Sequence, residues 1–148
     1  MNPRIVLQVL VAFLVISSPL LTASAGSHRS ASEAEFEQLA VRFREYRHQL
    51  REDTDRQRPE LRDWNGPVHE VMSEVGKRVE TKHLSPEVVK GLLGKPDEVF
   101  VGGSHHNGKT VPHGERHLVY WWRGGHDYLY LIARHGQVVR SAWWFAGE

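Results

Sequence analysis

The sequence predicts an α+β fold in which N-terminal helices pack on one face of a four-stranded antiparallel meander sheet. After residue 31, apolar residues recur every three or four positions, which is the spacing of one helix face. The last third of the chain is rich in β-branched and aromatic residues, and short glycine-containing turns divide it, as is typical of paired strands. These turns are too short for a crossover connection, so neighbouring strands are expected to be antiparallel.

The N-terminus has the pattern of a secretory signal peptide. Arg4 is the only charge before an apolar run over residues 5–21, and Ala23-Ser24-Ala25 follows as a small-x-small cleavage site. A break at Ser17-Ser18-Pro19 disfavours a membrane anchor, which needs ~20 consecutive apolar residues. We therefore expect residues 1–25 to be removed, and the protein to be secreted or periplasmic with no membrane insertion after cleavage.

The composition of the chain that remains after signal removal excludes several classes of protein. Removal of the signal leaves 148 − 25 = 123 residues, the size of one domain. The chain has no cysteine, which excludes a disulfide scaffold, a thiolate-zinc module and a lipid anchor. The net charge becomes (19 − 1) − 18 = 0, so nucleic acid is not an expected partner. We predict a flexible leader at 26–31 and one domain at 32–148, with a helical part at 32–94 and a sheet part at 98–145.

Three helices are predicted. Ser32 and Glu35 have capping-box spacing, and an apolar stripe follows them; it contains Phe36, Leu39, Phe43, Tyr46 and Leu50. Pro59 and the turn at residues 65–67 are expected to end this helix. The seven arginines and five acids of residues 42–62 favour a solvated helix side. A second helix starts at Pro67, and its buried side is Val68, Val71, Met72, Val75 and Val79. A third starts at Ser85-Pro86-Glu87 and closes at Gly94.

Four strands follow. They are predicted at residues 98–101, 117–122, 127–133 and 138–145, with a long polar hairpin loop at 102–116. Turns at 123–126 and 134–137 contain the glycines that supply positive φ.

Residues 85–145 carry a recognisable set of short motifs. Ser-Pro-Glu opens a short helix, Leu93-Gly94-Lys95-Pro96-Asp97-Glu98-Val99 follows, and the strands contain Tyr-Trp and Gly-Gln-Val-Val. This half of the domain resembles the SmpA/OmlA and β-lactamase-inhibitor-protein-like group of small exported α+β domains. The resemblance implies helices on one sheet face and a protein-binding role, and it carries over no catalytic residue. Outer-membrane assembly lipoproteins of the group have a lipidated cysteine, which this chain lacks, so that role is not implied.

Eight aromatic residues lie within the last 29 positions. Adjacent strand residues point to opposite sheet faces, so each Trp-Trp pair is expected to place one indole on either side. An uncovered face would present a recognition platform; alternatively, cross-strand pairs and the first helix cover both faces. The candidate binding residues are Trp121, Trp122, Tyr128, Tyr130, Trp143 and Trp144, together with Arg123 and His126 from the intervening turn.

Histidines cluster around the long loop. The candidate metal ligands are His105, His106, His113 and His117. The spacing of His113 and His117 occurs in zinc sites, yet Pro112 and Gly114 indicate a loop, where such spacing does not bring two rings to one face. We expect a solvent-exposed His-rich loop and predict no metal or other cofactor.

The turn residues His126 and Asp127 could serve acid/base chemistry. They are adjacent at a strand start and point opposite ways, so we expect Arg123 to pair with Asp127 instead. No catalytic motif is recognisable elsewhere, and we predict no catalytic residue.

These observations favour a noncatalytic exported binding domain that recognises a protein or peptide through its aromatic sheet face. A metal-dependent or general acid/base hydrolase using the His-rich loop is one alternative, and carbohydrate binding through the indoles is another. The sequence does not indicate the partner's identity or the oligomeric state.

Overall fold

A computed structural model describes residues 30–146, and it confirms the α+β fold class. The helices of this part of the chain are α1 (Ala31–Glu52), α2 (Pro67–Thr81), α3 (Pro86–Leu93) and a 3-10 helix at Pro59–Arg62. The strands are β1 (Glu98–Val101), β2 (His105–His106), β3 (Lys109–Thr110), β4 (Glu115–Trp121), β5 (Asp127–Arg134) and β6 (Gln137–Phe145). The predicted signal peptide at 1–25 lies outside the described residues. No helix within residues 30–146 is long and apolar enough to cross a bilayer.

The main sheet is the predicted meander. Its strand order is β1-β4-β5-β6, and all neighbours are antiparallel. The helices pack on one face, where Leu118, Tyr120 and Leu129 join the hydrophobic core. We call the opposite side the outer face; its side chains include Phe100, His117, Val119, Trp121, Tyr128, Tyr130, Ile132 and Trp144.

Helix α1 starts two residues earlier than predicted. The capping box is formed by Ser30 and Glu33, so the assignment to Ser32 and Glu35 is wrong. Both pairs have the same spacing, and the spacing alone could not distinguish them. The apolar stripe is confirmed, since Phe36, Leu39 and Phe43 are buried and Tyr46 and Leu50 pack against the core.

The same helix ends well before Pro59. Its last residue is Glu52, because the Asp53 carboxylate accepts hydrogen bonds from the backbone N–H groups of Gln57 and Arg58 at 2.8 and 3.2 Å. Asp53 also pairs with the Arg62 guanidinium. These bonds turn the chain into the 3-10 helix and give its backbone groups an alternative to a further helical turn.

Helices α2 and α3 form as predicted. Pro67 occupies the first position of α2, and the five predicted apolar residues are buried. A methyl group at Gly76 would lie 3.0 Å from Leu129 Cδ1, so glycine allows this helix to approach the sheet closely. Helix α3 starts at the Ser85 cap and ends at Gly94, whose φ of 82° favours glycine.

A buried ion pair joins α1 to the sheet. Arg47 is 5% exposed, and its Nη2 lies 2.8 Å from Asp97 Oδ2. Asp97 precedes β1 and also accepts the Trp121 backbone N–H at 2.8 Å, which ties it to the end of β4. The guanidinium stacks 4.9 Å from the Tyr120 ring centre, and burial lowers the pKa of Arg47. One side-chain pair therefore connects a helix and two strands.

We expect Asp97→Ala to destabilise the domain by about 3 kcal/mol, because it leaves the buried Arg47 charge unpaired. The double variant Arg47→Met, Asp97→Ala should recover part of that loss. Arg51→Ala, which removes a largely exposed partner of the same carboxylate, should cost less than about 1 kcal/mol. Urea unfolding of the four proteins measures this, and equal losses for Asp97→Ala and Arg51→Ala would contradict the argument.

Candidate functional site

The segment predicted as a long loop contains a small hairpin that folds over the outer face. Strands β2 and β3 pair only with each other and are separated by Asn107-Gly108, both at positive φ. An Asn-Gly pair is a strong signal for a two-residue hairpin turn. The predicted long hairpin loop at 102–116 does join the antiparallel strands β1 and β4, but the prediction missed the small hairpin within it, and this Asn-Gly pair is the sequence signal that identifies that hairpin.

Two histidines meet between the hairpin and the sheet. His106 on β2 is 7% exposed, His117 on β4 is 9% exposed, and their Nδ1 atoms lie 2.7 Å apart. The expectation of solvent-exposed histidines is wrong for these two residues, because the hairpin turns His106 inward onto the sheet. His105 and His113 are exposed, as expected.

A continuous chain of polar contacts extends from the histidine pair in both directions. His106 Nε2 lies 3.0 Å from the Tyr128 hydroxyl, which also contacts Asn107 Oδ1. On the other side, His117 Nε2 lies 3.3 Å from Glu115 Oε2. Arg134 Nε donates to the second oxygen of Glu115 at 2.8 Å. Neither Asn107 nor Glu115 was predicted as a site residue. We call Arg134, Glu115, His117, His106, Tyr128 and Asn107 the histidine network.

The donors and acceptors of the histidine network can be satisfied in two ways. With both rings neutral, the Tyr128 hydroxyl donates to His106, His106 Nδ1–H donates to His117, and His117 Nε2–H donates to Glu115. With one additional proton, His117 donates from both nitrogens, and His106 donates to Tyr128. The first arrangement needs the Asn107 amide N–H to face Tyr128, and the second needs its oxygen there. The network thus accommodates one extra proton without leaving a polar group unpaired.

Burial keeps two members of the network uncharged near neutral pH. Burial, and to a smaller extent the positive charge of the neighbouring His117, lowers the pKa of His106 to about 4. Burial also raises the pKa of the Tyr128 hydroxyl. His106 and Tyr128 are therefore both uncharged at pH 7.

Aromatic rings surround His106. Its ring stacks on Phe100 with centres 4.4 Å apart, lies 5.7 Å from Tyr128 and meets the edge of Tyr130 at 5.2 Å. Such rings exclude water from the nitrogens, which strengthens each hydrogen bond of the network and makes an unpaired nitrogen costly.

A cleft of about 270 Å³ opens between the hairpin and strands β5 and β6. We call it the hairpin cleft. Its walls combine apolar, aromatic and polar side chains, namely His106, Asn107, Lys109, Thr110, Val111, Pro112, Glu115, His117, Tyr130, Ile132 and Trp144. The volume suits one large side chain or a small ligand.

The predicted binding aromatics divide between the two faces. Trp121 and Trp144 lie on the outer face, with 38% and 36% of their surface exposed. Trp122 is buried on the helix face, where its Nε1 donates to Leu61 O at 2.9 Å. Trp143 is half-buried on the same face and donates to Ser73 Oγ at 3.2 Å. Of the two tyrosines, Tyr128 is buried and Tyr130 is half-buried. The structure thus brings Trp121, Tyr128, Tyr130 and Trp144 together and separates Trp122 and Trp143 from them.

The turn between β4 and β5 is held by Arg123. Its guanidinium pairs with Asp127 at 3.3 Å, which confirms the predicted pairing. It also lies 4.0 Å from the Trp122 ring centre, and its Nε donates to Arg62 O at 2.8 Å. Arg123 therefore has a structural role, because it contacts residues on the helix face of the sheet. His126 is exposed at the turn.

Within residues 30–146, no group of three or more His, Asp or Glu side chains is placed to hold a metal ion. The four histidines considered as ligands do not converge, since only His106 and His117 are in contact.

The chain matches no family model, no curated protein and no solved structure. The resemblance to the SmpA/OmlA and β-lactamase-inhibitor-protein-like group stays a prediction.

We expect Tyr128→Phe to destabilise the domain by about 1–3 kcal/mol, because it leaves His106 Nε2 without its hydrogen-bond partner in a buried site. Tyr130→Phe is the matched control, since its ring lines the hairpin cleft outside the histidine network, and it should cost less than about 0.5 kcal/mol. Urea unfolding at pH 7 measures both. A loss for Tyr130→Phe as large as that for Tyr128→Phe would contradict the role assigned to the network.

Proposed function

We propose that this chain is an exported, noncatalytic binding domain that holds a protein or peptide partner on its outer face. The observation that carries the proposal is the exposure of Trp121 and Trp144 on a sheet face that no described helix covers. Tryptophan is the residue most enriched at binding hot spots, because it combines a large rigid surface with a polar tip.

The arrangement of these residues supports the proposal. The strand register pairs Trp121 with Tyr128 and Tyr128 with Trp144, so the three rings form one row across β4, β5 and β6. Neighbouring strands lie about 4.8 Å apart, which places the two indoles about 10 Å from each other with the buried Tyr128 between them. A partner segment lying across the strands contacts both indoles at once.

The hairpin cleft adjoins this row. Trp144 forms part of its wall, together with Tyr130 and Val111. Its polar groups include Asn107 and Thr110, which can supply hydrogen bonds to a partner. We infer that the indoles anchor the partner and that the cleft receives one of its side chains.

The histidine network favours binding over the hydrolase alternative. A general base needs a free nitrogen that faces the substrate. Each of the four ring nitrogens of His106 and His117 is already engaged by a neighbour in the network. Proton transfer to a substrate or ligation of a metal would first have to break one of these contacts.

Two sequence features support the proposal that the protein is exported. Residues 1–25 have the order of a secretory signal, and residues 85–145 resemble a group of small exported α+β domains that bind proteins. The absence of cysteine leaves no lipid-anchoring site, so we propose a secreted or periplasmic protein that is not lipid-anchored.

The test begins with a phage-displayed library of random peptides selected against the domain at pH 7. We expect Trp121→Ala and Trp144→Ala each to weaken the selected peptides by about 2 kcal/mol or more, roughly 30-fold in Kd. Trp64→Ala is the matched control, because Trp64 is 47% exposed yet packs against His69 and Phe145, away from the outer face. It should change Kd less than about threefold.

Selected peptides whose affinity depends on Trp64, and not on Trp121 or Trp144, would contradict the proposal. If no peptide is selected and a glycan array yields a ligand that needs Trp121 and Trp144, the platform serves carbohydrate binding instead. Circular dichroism of each variant checks that the fold is intact.

A further inference from the structure

The hairpin covers the most buried aromatic part of the outer face. Tyr128 is only 6% exposed, although it lies in the same row as the exposed Trp121 and Trp144. The groups that contact it from above belong to the hairpin, namely the ring of His106 and the amide of Asn107. Phe100 is likewise stacked beneath His106.

The attachment of the hairpin to the sheet depends on few interactions. Its two strands pair with each other and with no strand of the main sheet. An isolated two-stranded hairpin is marginally stable in water. Its hold on the outer face therefore relies on the packing of His106 and Val111, which are 7% and 2% exposed, and on the contacts of the histidine network.

The His106–His117 contact is compatible with one positively charged ring but not with two. A single shared proton forms a hydrogen bond across the 2.7 Å between the Nδ1 atoms. When both rings are protonated, each Nδ1 carries a hydrogen that points at the other, and two positive charges share a buried site. The clash between the two N–H groups and the repulsion between the two charges then both destabilise the closed hairpin.

The surrounding charges do not neutralise a second proton. The titratable and charged groups that face the pair are Glu98 from β1, Glu115 from β4, Tyr128, Tyr130 and Arg134 from β5, and Lys109 from β3. Glu115 is shared between His117 and Arg134, and Lys109 adds a further positive charge. Glu115 can thus balance one imidazolium, and among residues 30–146 no other carboxylate forms a hydrogen bond or ion pair with either ring.

We propose that the β2–β3 hairpin is an acid-released cover of the outer face, and that the His106–His117 pair is the switch. A second proton on this pair displaces the hairpin and exposes Phe100, Tyr128 and Tyr130. These rings extend the row of Trp121 and Trp144 into a larger apolar surface for the same class of partner, an apolar or aromatic peptide segment. This regulation rests on the proposed binding function.

The direction of the pH effect follows from the pKa of His106. In the closed form it is lowered to about 4, whereas a freely solvated histidine has its ordinary value of 6.5. The open form therefore binds the proton more tightly, and opening becomes more favourable as pH falls from 6.5 and levels off below about 4. Between pH 7.0 and pH 4.5 these two pKa values should raise the opening constant by roughly 60-fold, and by at least about tenfold.

Amide hydrogen exchange measured by NMR tests the switch on the mature domain. The Val111 amide, which donates to Ser104 O at 2.8 Å, reports on the hairpin, and the Val138 amide, which donates to Leu84 O, reports on the sheet. After correction for intrinsic rates, the protection factor of Val111 should fall about tenfold or more between pH 7.0 and pH 4.5. The protection factor of Val138 should fall less than threefold.

Variants separate the switch from general acid sensitivity. His106→Gln keeps a neutral hydrogen-bonding side chain and should abolish the pH dependence at Val111; His106→Phe is the second variant if glutamine loosens the hairpin at pH 7. His48→Gln, which changes an exposed histidine of α1, should retain the wild-type response. An unchanged Val111 protection factor in the wild type, or an equal fall in both His106 variants, overturns the proposal.

A binding measurement distinguishes failure of the switch from failure of the proposed function. Peptides selected at pH 4.5 should bind the wild type at least tenfold more weakly at pH 7.0, and this difference should vanish in His106→Gln. If the hairpin opens in acid and no peptide binds at either pH, the binding function fails and the switch stands. If peptides bind equally at both pH values and Val111 stays protected, the switch fails and the binding function stands.

Discussion

The side chains of strands β4, β5 and β6 point alternately to two faces, and the helices cover only one of them. Most other features of the domain follow from this constraint. Trp122 and Trp143 pack on the helix side, and their neighbours Trp121 and Trp144 must lie on the outer side. The chain thus cannot bury one member of each Trp-Trp pair in the core without presenting the other on the opposite face.

The outer face is covered in a different way from the helix face. The core beneath the helices is apolar, and the buried charge of Arg47 beside it is paired with Asp97. At the hairpin, by contrast, the buried side chains include Val111 and Val119 but also two imidazoles and a phenol whose hydrogen bonds depend on one another. A cover held by apolar packing responds little to pH, whereas one held by a histidine pair weakens when a second proton binds. The two faces therefore differ in how they respond to acid.

The elements with a strong local signal could be predicted, and the contacts between distant residues could not. The stripe of Phe36, Leu39 and Phe43 and the start at Pro67 follow from spacing and capping chemistry within a few residues. The meander follows from the short turns. The burial of His106 depends on the hairpin packing against strands that follow it in the sequence. The spacing of residues within the hairpin does not indicate this packing. The Asn107-Gly108 pair identifies the turn but not the surface on which the hairpin lies.

The positions of the aromatic residues could also be predicted only in part. Alternation predicts that Trp121 and Trp122 lie on opposite faces, but it does not say which of them meets the helices. That choice depends on long-range contacts such as the bond from Trp122 Nε1 to Leu61 O, 61 residues away. Once this choice is made, the register determines the rest, since Trp121 pairs with Tyr128 and Tyr128 with Trp144. The row of outer-face aromatics is thus a consequence of how the opposite face packs, and the hairpin decides how much of it a partner can reach.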